Sequence, residues 1–102
     1  MHDKVQDDVI LYTDIGSDVI LKCNVTNTTN SRWRRVNEII SNELNINPEL
    51  QHRLKIIGDK TLGEYNLQIS DLTEDDLGSF WCERTVNNVF IEKQVVIKLT
   101  GE

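Results

Sequence analysis

Asp76-Leu77-Gly78-Ser79-Phe80-Trp81-Cys82 joins an acidic turn to an alternating run that ends on a cysteine. Successive side chains of a strand point to opposite faces, so Phe80 and Cys82 share one side while Trp81 and Glu83 share the other. Upstream, Leu67-x-Ile69-x-x-Leu72 supplies apolar residues just before the turn, and Cys23 followed by Trp33 lies earlier still. Leu72 to Leu77, with Thr73-Glu74-Asp75-Asp76 between the leucines, is too short for a helix and reads as one helical turn between strands.

The period-two pattern recurs through the chain. Val19, Leu21, Cys23 and Val25 share one parity, Tyr65, Leu67 and Ile69 another, and Ile91, Val95, Ile97 and Leu99 a third. Turn-forming residues punctuate these runs at Asp14 to Ser17, Asn27 to Asn30, Asn45 to Pro48, Gly58-Asp59, Leu62-Gly63 and Asn87-Asn88. Strands are expected near residues 8–13, 17–25, 31–36, 38–41, 53–57, 64–70, 78–86 and 89–99, with a flexible tail over 1–7. Short alternating strands at this spacing specify an antiparallel β-sandwich with almost no helix.

The totals fit one domain spanning 1–102. A chain of 102 residues buries roughly 60 to 70% of its unfolded surface, enough for one modest core. Seventeen acidic against 11 basic residues give a formal charge of -6, which opposes a nucleic-acid partner because phosphate binding draws on clustered lysine and arginine. Arg32, Arg34 and Arg35 are too short a cluster to reverse that balance. No apolar run approaches the roughly 20 residues that span a bilayer, and Met1-His2-Asp3-Lys4 lacks the apolar stretch of a secretory signal. The chain is therefore expected to be an excised fragment, with a membrane anchor in the parent protein.

Cys23, Trp33, the Leu67-x-Ile69-x-x-Leu72 run and the segment ending at Cys82 together resemble the immunoglobulin superfamily, most nearly its variable and intermediate sets, over about residues 9–99. The resemblance implies an all-β, two-sheet immunoglobulin-like sandwich of Greek-key topology, with a Cys23–Cys82 disulfide bridging the sheets and Trp33 packed on it. Such a bridge contributes about 4 kcal/mol in the chain-entropy model. It also implies a salt bridge at the base between Arg53 and Asp76, with Arg35 a competitor for the same carboxylate. Three departures stand out. Phe80 replaces the tyrosine whose hydroxyl ordinarily bonds back to the turn, the stretch between the cysteines leaves room for only a vestigial strand around Glu43 to Pro48, and residues 93–99 lack the glycine bulge of antigen-receptor chains. These features point away from antigen receptors and toward an innate-type receptor or an adhesion molecule.

Parity then selects a face. With Trp33, Phe80 and Cys82 inward, Arg32, Arg34, Trp81 and Glu83 point outward from the sheet of strands C, F and G in the family's lettering, and Phe90 and Glu92 join them across the Asn87-Asn88 turn. An aromatic residue flanked by arginine and glutamate has the composition of an interface centre. This face is the expected site for a protein ligand, and Trp81→Ala or Arg34→Glu is expected to abolish binding with little change in melting. Asn24-Val25-Thr26 and Asn27-Thr28-Thr29 are N-glycosylation acceptors, with Asn24 on the opposite sheet and Asn27 in the loop after it, leaving the Trp81 face open.

Catalytic chemistry finds no support. Ser79 has no histidine nearby in sequence, the only histidines being His2 and His52, and a Ser-His-Asp arrangement depends on all three converging. Glu74, Asp75 and Asp76 lack the spaced ligands and glycine of a calcium loop, and Gly58, Gly63 and Gly78 form no phosphate cradle. Neither a cofactor nor a metal is expected. The sequence thus reads as the extracellular ligand-binding domain of an immune-type cell-surface receptor. The alternatives are an adhesion module that binds its own copy or another molecule, and a secreted recognition module for carbohydrate or microbial surfaces.

Overall fold

The computed structural model describes residues 4–101, and the side chains of 8–101. Nine strands follow in order: β1 Lys4–Thr13, β2 Val19–Leu21, β3 Thr29–Arg35, β4 Glu38–Asn42, β5 Asn45–Ile46, β6 Leu54–Ile57, β7 Asn66–Ile69, β8 Gly78–Val86 and β9 Val89–Leu99. They form a six-stranded sheet, β1-β9-β8-β3-β4-β5, and a three-stranded sheet, β2-β7-β6. The chain crosses between sheets after β1, β2, β5 and β7. All pairs are antiparallel except β1 with β9, which run parallel.

The inward residues of both sheets make one core. Leu21, Trp33, Ile40, Leu67, Ile69, Leu72, Phe80 and Ile97 are each at most 1% exposed. The Cys23–Cys82 disulfide joins the two sheets through this cluster, with Cα atoms 6.5 Å apart. Trp33 is wholly buried, and its indole Nε1 donates to the Tyr65 carbonyl at 3.0 Å, so its one polar atom is satisfied in the core. Tyr65 makes a second tie between the sheets. Its hydroxyl bonds with Ser41 Oγ at 2.8 Å and donates to the Glu43 carbonyl. Burial pushes its pKa up to about 12, against the Ser41 hydrogen bond and with the Glu43 charge, so it stays a neutral donor.

Local chemistry sets the turns. Asn87 and Asn88 take φ of 49 and 66 between the paired Val86 and Val89. A two-residue hairpin turn with both φ positive matches the twist of its strands, and asparagine tolerates that conformation. This turn carries the alternation of β8 into β9 with no bulge. The acidic turn is a 3-10 turn at Glu74–Asp76, as its length implied.

Two strands differ most from the sequence reading, the other boundaries shifting by no more than two residues. The first strand begins at Lys4, so residues 4–7 belong to β1 and not to a tail, while residues 1–3 lie outside the described residues, as does His2. Backbone pairing along the long β9 holds Lys4–Asp7 without needing the apolar alternation from which strands are recognised. The second strand is only Val19–Leu21 and not 17–25, because the Cys23 N–H is taken by the Asn66 side chain at 3.0 Å, leaving an isolated bridge at Asn24.

Candidate functional site

Arg53 and Asp76 meet at the base as the resemblance implied. Two guanidinium nitrogens of Arg53 reach the two carboxylate oxygens at 2.8 and 3.0 Å, and Asp76 also accepts the Thr73 N–H at 2.8 Å. Burial works to raise the Asp76 pKa, but these hydrogen bonds and the Arg53 charge outweigh it and hold the carboxyl below its usual range. Arg35 does not compete for Asp76. It lies over the Phe80 ring, 4.4 Å from the centroid, and donates to the carbonyls of Asp75 and Leu77 at 2.7 Å each. The tie between strand and turn that a tyrosine at position 80 makes elsewhere is supplied here by a guanidinium stacked on the phenylalanine.

The outer face of the six-stranded sheet has two rows. Ile39, Arg34, Trp81 and Gln94 stand side by side across β4, β3, β8 and β9, and Arg32, Glu83 and Glu92 stand side by side across β3, β8 and β9. Every outward residue singled out from the sequence lies on this face. Glu83 and Glu92 sit directly opposite each other, an arrangement that repels unless a cation intervenes. Arg34 is that cation. Its Nε donates to Glu83 Oε2 and its Nη2 to Glu92 Oε2 at 3.0 Å, while Arg32 Nε reaches Glu83 Oε1 at 2.6 Å. The carboxylate side chains are only 5% and 3% exposed, beneath guanidinium side chains that are 43% exposed for Arg32 and 25% for Arg34.

Glu83 and Glu92 point outward but are therefore not surface groups, and the expectation that they contact a partner directly is corrected. Long arginine side chains fold over them, which strand parity does not reveal. Burial raises the Glu83 pKa, and the hydrogen bonds and charges of Arg34 and Arg32 more than offset it, so it too lies below the usual carboxylate range. The Arg34 guanidinium is set 4.5 Å from the centre of the Trp81 ring, leaving Trp81 half-buried. One side chain thus bridges two carboxylates and stacks on the tryptophan. Arg34→Glu would bring three carboxylates together, so this variant is now expected to lower stability as well as binding.

At one end of the face Phe90, paired with Thr85, borders an open cleft of about 490 Å³ that Asn30, Arg32, Asn42 and Glu83 also line. Phe90 is half-buried. The Asn24 and Asn27 acceptors are both exposed and off this face. Asn24 follows β2, with its Nδ2 donating to the Leu62 carbonyl at 3.1 Å, and Asn27 occupies a left-handed position with φ of 58. His52 is exposed. No grouping of histidine, cysteine and carboxylate side chains suited to a metal occurs among the described residues, and no helix there is long and apolar enough to cross a membrane.

No protein-family model matches the sequence, and no curated protein matches it. Solved structures match in shape, 1125 chains in all, and a shape so widely shared carries no particular partner with it. Among them is the second immunoglobulin domain of the mouse polymeric immunoglobulin receptor, which superposes with a TM-score of 0.71 at 20% identity over 94% of this chain and 99% of that one. At that identity the likeness establishes architecture alone: the chain has the immunoglobulin-like β-sandwich fold, with one disulfide joining its two sheets.

Proposed function

We propose that the chain is an extracellular recognition domain of receptor or adhesion type, binding a protein partner with the outer face of β3, β8 and β9. The observation that carries this reading is Trp81, stacked on the Arg34 guanidinium, with Ile39, 38% exposed, paired to Arg34 on its other side. A fixed aromatic residue backed by arginine, on a sheet face whose charges already satisfy each other, has the make-up of an interface centre and loses little side-chain freedom on binding. The disulfide supports an oxidising, extracellular location. Strands β4 and β5, which widen the sheet beyond β3, support a variable-type domain. Glycans on Asn24 and Asn27 would leave the Trp81 face clear.

The test is a screen of the tetramerised domain against displayed extracellular proteins, followed by variants. Trp81→Ala and Arg32→Ala are expected to remove binding to the partner found, while Ile20→Ala on the other sheet retains it. Unchanged affinity in both face variants moves the site away from this sheet. A second reading is favoured by the cleft beside Phe90, whose amides, hydroxyl and aromatic edge suit a carbohydrate; binding on a glycan array that is lost in Phe90→Ala supports it.

A further inference from the structure

Among the described residues β1 is the last strand of the six-stranded sheet and pairs only with β9, so one row of its backbone groups has no neighbouring strand there. Sheets usually protect such an edge with a proline, a bulge, a charge or a very short strand. In this strand of 10 residues the charges Lys4, Asp7 and Asp8 all stand before Val9, and Val9-Ile10-Leu11-Tyr12 itself has no charge, proline or bulge. Val9 is 39%, Ile10 52% and Tyr12 51% exposed, three of the nine exposed large apolar residues among those described. No other strand among those described carries as many.

Register indicates what fits there. Ile10 and Tyr12 pair with Val96 and Lys98 on the outer face, whereas Val9 and Leu11 pair with the buried Val95 and Ile97 on the inner one. A second β1 laid antiparallel about a two-fold axis at Ile10 sets Ile10 against its own copy, Val9 against Leu11 and Asp8 against the Tyr12 phenol. Apolar meets apolar on both faces, and no charge meets its like. Centring on Val9 instead sets Asp8 against Ile10, and centring on Leu11 sets Asp8 against Asp14. Only the Ile10 register is self-complementary in both charge and polarity.

We propose that two copies of the chain pair antiparallel along β1, centred on Ile10, to form one sheet continuous across both. The interface is isologous and made largely of backbone hydrogen bonds. Because its axis runs perpendicular to the sheet, both Trp81 faces point the same way. Two sites on one side convert a modest affinity into avidity for any partner that is itself paired or surface-bound.

Sedimentation equilibrium over rising concentration tests this. The unaltered chain is expected to pass from monomer to dimer, and Ile10→Lys and Ile10→Glu each to weaken the dimer at least about tenfold by setting like charges opposite each other. An equimolar mixture of the two variants restores the dimer, which a folding defect could not do. Trp81→Ala dimerises like the unaltered chain. The proposal is overturned by an unaltered chain still monomeric at about 0.5 mM, by a dimer indifferent to Ile10→Lys, or by a dimer lost in Trp81→Ala, which would place the contact on the outer face.

Discussion

Replacing Arg34 with methionine keeps an unbranched side chain of similar reach and removes the charge. Glu92 loses its 3.0 Å partner, Glu83 keeps only Arg32, and the two carboxylates are left opposed on adjacent strands. Removing one member of a buried ion pair costs about 3–5 kcal/mol. Arg34 is a quarter exposed and Arg32 remains, so the lower end applies, about 3 kcal/mol, with the lost stacking on Trp81 included. For a domain of this size each kcal/mol shifts the melting temperature by about 4–8 °C, so a drop of at least about 12 °C is expected. Urea denaturation of Arg34→Met, Glu83→Gln and the double variant is the assay. The double variant should recover at least about 1 kcal/mol relative to the sum of the singles, since removing both partners leaves less charge unpaired. If Arg34→Met melts within about 3 °C of the unaltered chain, the network is a surface feature and the account of Trp81 as a rigid anchor fails with it.

Acid should act through the same groups. Asp76 and Glu83 lie below their usual range when folded, so the unfolded chain binds more protons as pH falls. Their contribution is complete above the unfolded value of about 4 and is lost as pH drops through the folded values; urea midpoints measured from pH 6 to 2 should fall below about pH 4, and less steeply in Glu83→Gln. Reduction of Cys23–Cys82, whose partners are 59 residues apart, is expected to cost about 4 kcal/mol, read by the shift in urea midpoint with and without reductant. Arg35→Lys keeps the charge but loses the forked bonds to Asp75 and Leu77, and about 1–2 kcal/mol of stability in the same titration.

Much of the fold could be read from particular residues. Cys23, Trp33 and Cys82 marked the two sheets, and the Asn87-Asn88 turn extended the parity of β8 into β9, so every outward residue was assigned to the correct face. The Arg53–Asp76 pair was likewise visible. What parity cannot supply is cover. It states which way Glu83 and Glu92 point but not that arginines from the neighbouring strand lie over them. Nor does a pattern read from apolar residues detect Lys4–Asp7, which pair in register with β9, or the Asn66 side chain that interrupts β2. Arg35 shares the parity of Trp33, and only the packed structure shows that its length carries it along Phe80 to the turn.

The charge network beneath Trp81 also bears on the timing of an encounter. Two guanidiniums and two carboxylates cancel within a few ångströms, and beyond a screening length of about 8 Å in physiological salt a partner feels little field from this face. Association here is set by the chance of correct orientation, at about 10⁵–10⁶ M⁻¹s⁻¹, and not by long-range attraction. Discrimination between partners then resides in how long each one stays.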